Sequence, residues 1–213
     1  MQNIKKIERL ANENTNIAKK EKDTATEMKN LAKRAIKRAK AREMLVRNEI
    51  ELAKIRERLA EKSKKLTETK EQVKDILKLS EGNLIFEKNQ AIYNEMVAQI
   101  QIEIAENQRR IAEQETEIAE VKIKLANKKF NAAKERGKLG KKQFIYVKLV
   151  KANSPEGKIS KAEEAYLSQQ KHLTKVEVDA LEISKEIVKR QNNLANLKKI
   201  LSEKLAEREK IRP

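Results

Sequence analysis

Residues 97–126 read VAQIQIEIAENQRRIAEQETEIAEVKIKLA. An aliphatic residue followed at once by alanine returns every seven positions: Val97 with Ala98, Ile104 with Ala105, Ile111 with Ala112, Ile118 with Ala119, Leu125 with Ala126. A strand would alternate with a period of two, whereas seven residues are two turns of helix. A seven-residue return sustained over many turns predicts left-handed supercoiled packing between helices.

The pattern runs outward in both directions. The alanine column begins at Ala91 and reaches Ala133, and its next members are Gly140 and Val147. The large column continues as Ala132, Leu139 and Tyr146. Upstream, the same two columns recur. One reads Leu10, Ile17, Thr24, Leu31, Arg38, Leu45, Leu52, Leu59, Leu66, Val73, broken only by Thr24 and Arg38. Its neighbour reads Ile4, Ala11, Ala18, Ala25, Ala32, Ala39, Val46, Ala53, Ala60. Downstream the series is Ile159, Tyr166, Leu173, Ala180, Ile187, Leu194, Leu201, supported by Ala162, Val176, Ile183 and Leu197.

Three punctuation points divide the chain. Gly82, after Ser80 and Glu81, suits the left-handed residue that ends a helix. At 153–156, Ser154 suits a helix N-cap, Pro155 the first helical position and Glu156 the positive helix end. Pro213 is the third point. The spacing predicts helices over about 3–80, 84–152 and 155–212. The fold class is therefore all-α: one elongated domain, an antiparallel three-helix coiled-coil bundle with a hairpin over 1–152 and a return helix over 155–212.

Alanine every seventh residue on two helices joined by a short turn predicts close antiparallel approach along those columns, near the lower end of the ~8–10 Å interaxial range. The helix-packing seam is Ala11, Ala18, Ala25, Ala32, Ala39, Ala53 and Ala60 against Ala91, Ala98, Ala105, Ala112, Ala119, Ala126 and Ala133. Gly140 falls in the small column, so the second helix is expected to continue through Gly137 and Gly140. The rival is a basic loop at 138–142 followed by a short strand at 144–150, which is rich in β-branched and aromatic residues. At ~1.5 Å per residue such a bundle is a rod of roughly 100–120 Å.

Composition agrees. Charged residues make up 39% of the 213 residues and aromatics 3%, with four Gly, two Pro and no Trp. That suits a narrow seam rather than a thick core. Cysteine is absent, which removes disulfide and thiolate chemistry. Residues 1–10 carry Lys5, Lys6, Glu8 and Arg9 with no apolar run behind them, unlike a signal peptide. No charge-free apolar stretch of roughly 18 residues occurs, so no transmembrane segment is expected. A cytoplasmic protein, or a part of a macromolecular particle, is the expected setting.

Candidates for catalysis are few. His172 is the single histidine, and a polar stretch surrounds it. Gly137, Lys138, Leu139, Gly140, Lys141 and Lys142 lack the spacing of a phosphate loop and lie within the helical repeat. Glu113, Glu115, Glu117 and Glu120 alternate with Ile111 and Ile118, the pattern of a solvated helix face. The chain reads as a non-enzyme, with no metal, cofactor or small-molecule substrate implied.

The net charge is +17. Such an excess attracts polyanions. Two basic runs supply the docking candidates: Lys33, Arg34, Lys37, Arg38 and Arg42, and Lys122, Lys124, Lys128, Lys129, Lys134, Arg136, Lys138, Lys141 and Lys142. A reversal centred on Gly82 sets residue 42 opposite 122 and residue 29 opposite 135, which stacks both runs into one belt. The same register turns residues 113–120 toward 47–51.

The expected function is a structural or assembly coiled-coil protein, a rigid linker in a larger complex that docks through this belt on an acidic partner surface. Other subunits or copies of the chain would cover apolar edges expected at Ile100, Ile102 and Ile104, and at Val121, Ile123 and Leu125. Two alternatives share the charge argument. One is a non-specific nucleic-acid-binding or packaging protein, whose lysines would contact phosphates without reading sequence; scarce aromatics argue against base stacking. The other is a peripheral scaffold on an anionic membrane. Long antiparallel helix bundles with a basic face build the BAR and PspA types of scaffold, and the likeness is architectural only. Phe144 and Tyr146 are expected near Tyr166, closing the end of the second hairpin.

Overall fold

The structure, a computed structural model, describes residues 2–77 and 80–211, with side chains described over 3–75 and 80–211. Three long helices dominate: α1 (Gln2–Gln72), α3 (Glu81–Lys151) and α4 (Glu156–Lys210), with a four-residue α2 (Lys74–Leu77) after α1. The described residues form no strand. Residues 144–150 are helical, and α3 runs unbroken through Gly137 and Gly140.

The helix ends differ in detail from expectation. The first long helix stops at Gln72, and Val73 N donates to Lys70 O at 3.3 Å, a tightened turn that separates α1 from α2. Gly82 does not end a helix. It lies in the first turn of α3 with no positive φ, and Leu84 N donates to Ser80 O at 3.2 Å, which puts Ser80 at the cap. The left-handed residue is Asn153 instead, with φ 47°. Ser154 N reaches Leu149 O at 3.0 Å and Asn153 N reaches Val150 O at 3.1 Å, the paired bonds of a Schellman ending. Asparagine tolerates that conformation better than other non-glycine residues. Pro155 O accepts from Lys158 N (2.8 Å) and Ile159 N (3.3 Å), so α4 begins one residue later than expected.

The helices pack in two compact units. The first comprises Met1–Ile36 and Glu117–Gln191, the second Lys37–Thr116 and Asn192–Pro213. Within the first unit α1 lies antiparallel to α3. Asn14 Nδ2 donates to Gln143 Oε1 at 2.9 Å, Arg136 lies 3.2 Å from Glu21, and Lys151 lies 2.8 Å from Glu8. The α3–α4 side packs Ala132, Leu139 and Leu173 with Tyr166 and Val176. Tyr146 and Tyr166 meet there with ring centroids 5.2 Å apart, whereas Phe144 is exposed and borders a recess with Glu8, Val147 and Lys151. Within the second unit α1 meets α3 through Arg42 and Glu115 (2.8 Å), Arg56 and Gln101 (2.9 Å), Lys64 and Glu95 (3.5 Å), and Lys70 and Glu87 (2.8 Å).

All fourteen alanines of the expected seam are buried, Ala11 and Ala112 completely. Val46 and Thr67 fill the same column of α1, and the Thr67 hydroxyl satisfies itself on Ser63 O at 3.0 Å. Gly140 shows how close the approach is. A Cβ there would lie 2.9 Å from Ala11 O and 2.7 Å from Thr15 Oγ1, whereas one at Gly137 would meet Ala18 Cβ at an ordinary 3.6 Å.

The large columns part company. On α3, Ile104, Ile111, Ile118, Leu125 and Leu139 are buried, as are Leu173, Ala180 and Ile187 on α4. On α1 the column is open: Leu45 is 65% exposed, Leu52 56%, Leu59 62% and Leu66 58%. The edges expected on α3 are covered instead, with Ile100, Val121 and Leu125 buried and Ile102 and Ile123 half-buried.

The two glycines of α3 therefore respond oppositely to the same change. Gly137→Ala gains helix propensity without a clash and raises stability by about 0.5–1 kcal/mol. Gly140→Ala pushes against backbone and lowers it, as does Ala112→Leu by overpacking, each by about 1–3 kcal/mol. Denaturant titration of the three variants measures both signs.

Candidate docking surface

The basic runs are brought onto α1 and α3, but in a different register from the expected one. Glu21 meets Arg136 and Asn14 meets Gln143 in the first unit, as Arg42 meets Glu115 and Arg56 meets Gln101 in the second. Each pair of residue numbers adds to 157, where a reversal centred on Gly82 requires 164. Residue 42 thus faces 115, not 122, and residue 29 stands level with 128, not 135. The pairing has slid by one heptad, a shift that leaves every alanine facing an alanine column. The acidic residues accordingly meet basic ones rather than positions 47–51: Glu115 pairs with Arg42 and, at 3.4 Å, with Lys198. Glu117 pairs with Arg190, and Glu113 with Arg109 at 3.3 Å.

Several docking candidates are occupied within the chain. Arg42 holds Glu115, Lys128 holds Asp179 at 2.9 Å, and Arg136 holds both Glu21 and Glu177. Lys138 binds Glu135 at 2.8 Å, and Lys142 donates to Gln169 Oε1 at 3.1 Å. Lys134 and Lys22 stand over the Phe130 ring, 5.1 and 5.4 Å from its centroid. Lys33, Arg34, Lys37, Arg38, Lys122, Lys124, Lys129 and Lys141 form no ion pair among the described residues.

The charge is unevenly divided. The first unit has 27 Lys and Arg against 15 Asp and Glu, and the second has 23 against 18, which splits the total as +12 and +5. In the first unit a groove opens between α1 and α4 over α3, with a cavity of about 480 Å³. Ile17, Lys20, Glu21, Thr24 and Ala25 form one wall and Glu177, Ala180, Leu181 and Ser184 the other; Lys129, Ala132 and Arg136 form the floor. Lys122 stands one heptad before Lys129 in the same column of α3. Two apolar residues continue the walls by seven-residue steps, Leu31 from Thr24 and Val188 from Leu181, and both are exposed.

Gln169 was not foreseeable as a site residue. It is buried, donates to Glu135 Oε2 at 2.7 Å and accepts from Lys142, so it ties α4 to α3. Neither periodicity nor charge marks a glutamine for such a place. Phe130 also gave no signal beyond being aromatic among lysines. The Lys138 bond holds the Glu135 carboxyl below its ordinary 4.5, opposed by burial and aided by Gln169. The Lys128 bond likewise holds Asp179 below 3.8. Burial raises the Tyr146 and Tyr166 phenols, with Glu163 adding to the effect.

His172 is exposed, with Nε2 3.8 Å from Glu135, and residues 137–142 are helix rather than loop. Among the described residues no group of three or more His, Cys, Asp or Glu could hold a metal ion, and no helix is long and apolar enough to cross a membrane. No protein-family model matches this sequence, and no curated protein is significantly similar to it.

The depressed carboxylates set the acid response. A folded value below the unfolded one stabilises above the unfolded value, and that stabilisation disappears as pH falls through the folded value. Melting temperature is therefore expected to fall as pH drops below about 4.5, and to fall less steeply in the Glu135→Gln, Asp179→Asn double variant, measured by circular dichroism.

Proposed function

We propose that this chain is a non-enzymatic structural and assembly protein, a coiled-coil linker in a larger complex that docks an acidic partner on its first unit. The groove over Lys129, with Lys122 one heptad before it, carries this reading: Lys129 stands on its floor, and Ile17, Ala180 and Leu181 give its walls apolar surface beside Glu21 and Glu177, which Arg136 holds. A partner helix with an apolar stripe and carboxylates beside it satisfies both demands. Its apolar residues would cover Ile17, Leu31, Leu181 and Val188, which stand exposed in the free chain. Its carboxylates would meet Lys122 and Lys129, which form no ion pair among the described residues. Electrostatic attraction from a unit of net charge +12 speeds such an encounter and selects against basic helices.

The alternatives use the groove less well. A nucleic-acid backbone is all phosphate and sugar at its edge, so it draws on the lysines and leaves the apolar walls wet. A lipid surface is flat on this scale and does not enter a recess between two helices. The docking is thus read as protein on protein, in which the long helices hold the groove rigid.

Sizing the native protein in a gentle lysate tests this reading. The chain is expected to remain in a large assembly after nuclease and after detergent, and Lys122→Glu with Lys129→Glu is expected to release it. Release by nuclease alone would establish a nucleic-acid partner, and release by detergent alone a membrane one.

A further inference from the structure

The open column of α1 in the second unit has no place in the docking groove. Leu45, Leu52, Leu59 and Leu66 stand on one line at seven-residue steps, with Ile55 (52% exposed) beside them. The line is 22 residues long, about 33 Å of helix. Its period identifies the kind of surface that covers it: another helix, packed along the same line, because only a helix in a supercoil keeps step with a seven-residue repeat.

The charges beside the column identify which helix. Taking the leucines as one core position and Ile55 as the other, the flanking positions hold Glu49 and Arg56 on one side and Glu51 and Arg58 on the other. Each pair is separated by seven residues, and in each the carboxylate comes first. Glu49, Glu51 and Arg58 form no ion pair among the described residues, and Arg56 uses one of its N–H groups on Gln101. If two copies of α1 lie parallel in register, Lys62 stands beside Lys62 in the core, and of the flanking charges only Glu51 and Arg56 come together. If they lie antiparallel about a point between residues 53 and 54, Leu52 of one copy meets Ile55 of the other. Glu51 then faces Arg58 and Glu49 faces Arg56, each twice by symmetry. Lys62 comes level with Leu45, where its methylene stem covers the leucine and its ammonium reaches water.

We propose that the chain self-associates through this face of α1, as an antiparallel two-fold pair centred between residues 53 and 54. The pairing does not depend on the acidic partner of the first unit, since no residue is shared between the two surfaces. A partner helix from another protein could cover leucines, but nothing would then make the chain's own charges complementary to themselves under one two-fold operation. The parallel arrangement sets Lys62 against Lys62 and leaves Glu49 and Arg58 unmatched, so charge selects orientation as well as partner.

Sedimentation equilibrium on the purified chain tests this directly. The wild type is expected to dimerise at micromolar concentration. Leu52→Glu should weaken the dimer by about 100-fold or more, and, since Leu52 is exposed, leave the helical circular dichroism spectrum unchanged. Glu51→Arg and Arg58→Glu should each weaken it about 10-fold by setting like charges together, and combining them in one chain should restore it to within about 3-fold of wild type. A wild-type chain that stays monomeric to about 100 µM, or a dimer indifferent to Leu52→Glu, overturns the proposal. A dimer that Leu52→Glu breaks but that the double reversal fails to restore overturns the antiparallel register.

Discussion

The contact between α1 and α3 along the alanine seam governs the rest of the structure. Every seventh residue on both helices is small, so their backbones come close enough that a methyl group at Gly140 would touch the Ala11 carbonyl. Each alanine buries little apolar surface, so no single contact dominates, and stability is spread along the helices. A narrow seam of this kind occupies only one line of α1. The neighbouring line of leucines, one residue earlier in each heptad, is turned about 100° away and stays more than half exposed from Leu45 to Leu66, although Leu52 borders a recess shared with Leu205 of α4. Exposed leucines are thus a direct geometric result of packing on alanine.

The same division explains the charges. The ion pairs between α1 and α3 sit at the edges of the seam and are largely exposed, and pairs of that kind contribute only about 0–1 kcal/mol each. They decorate a register that packing sets. The excess basic charge collects in the first unit, where α4 closes one side of a groove floored by α3 lysines. Where α4 bonds firmly to α3, through Gln169, Lys128 and Lys204, acidic residues are at hand to meet the cations. On the groove floor Arg136 is met by Glu21 and Glu177, whereas Lys129 forms no ion pair among the described residues.

Much of the fold was legible in the sequence because its two signals are redundant. The heptad columns mark helices and their inner faces, and alanine in one column marks where two backbones meet. All fourteen seam alanines are buried, and Gly140 belongs to the same column, which is why α3 passes through it as helix. Register was not legible, and the reason is the repeat itself. A slip of one heptad returns every alanine to an alanine and every isoleucine to an equivalent place, so the pattern cannot distinguish 42 facing 115 from 42 facing 122. Gly82 suggested the wrong centre because glycine suits a helix end, yet it also fits a first turn capped by Ser80. The openness of the leucine column was hidden for a related reason: a column says that a residue is apolar at a fixed angle, not how many helices surround it. Gln169 and Phe130 act through particular neighbours, which a linear pattern does not contain.

The seam in its heptad-shifted register is open to one direct measurement, since the chain has no cysteine of its own. Cysteines are placed in pairs, Glu21→Cys with Arg136→Cys and Glu21→Cys with Gln143→Cys, and each double variant is treated with a short bismaleimide. Rapid intramolecular cross-linking at 21 and 136, with little at 21 and 143, is the predicted result. Preferential cross-linking at 21 and 143 would restore the Gly82-centred hairpin and contradict the packing described here.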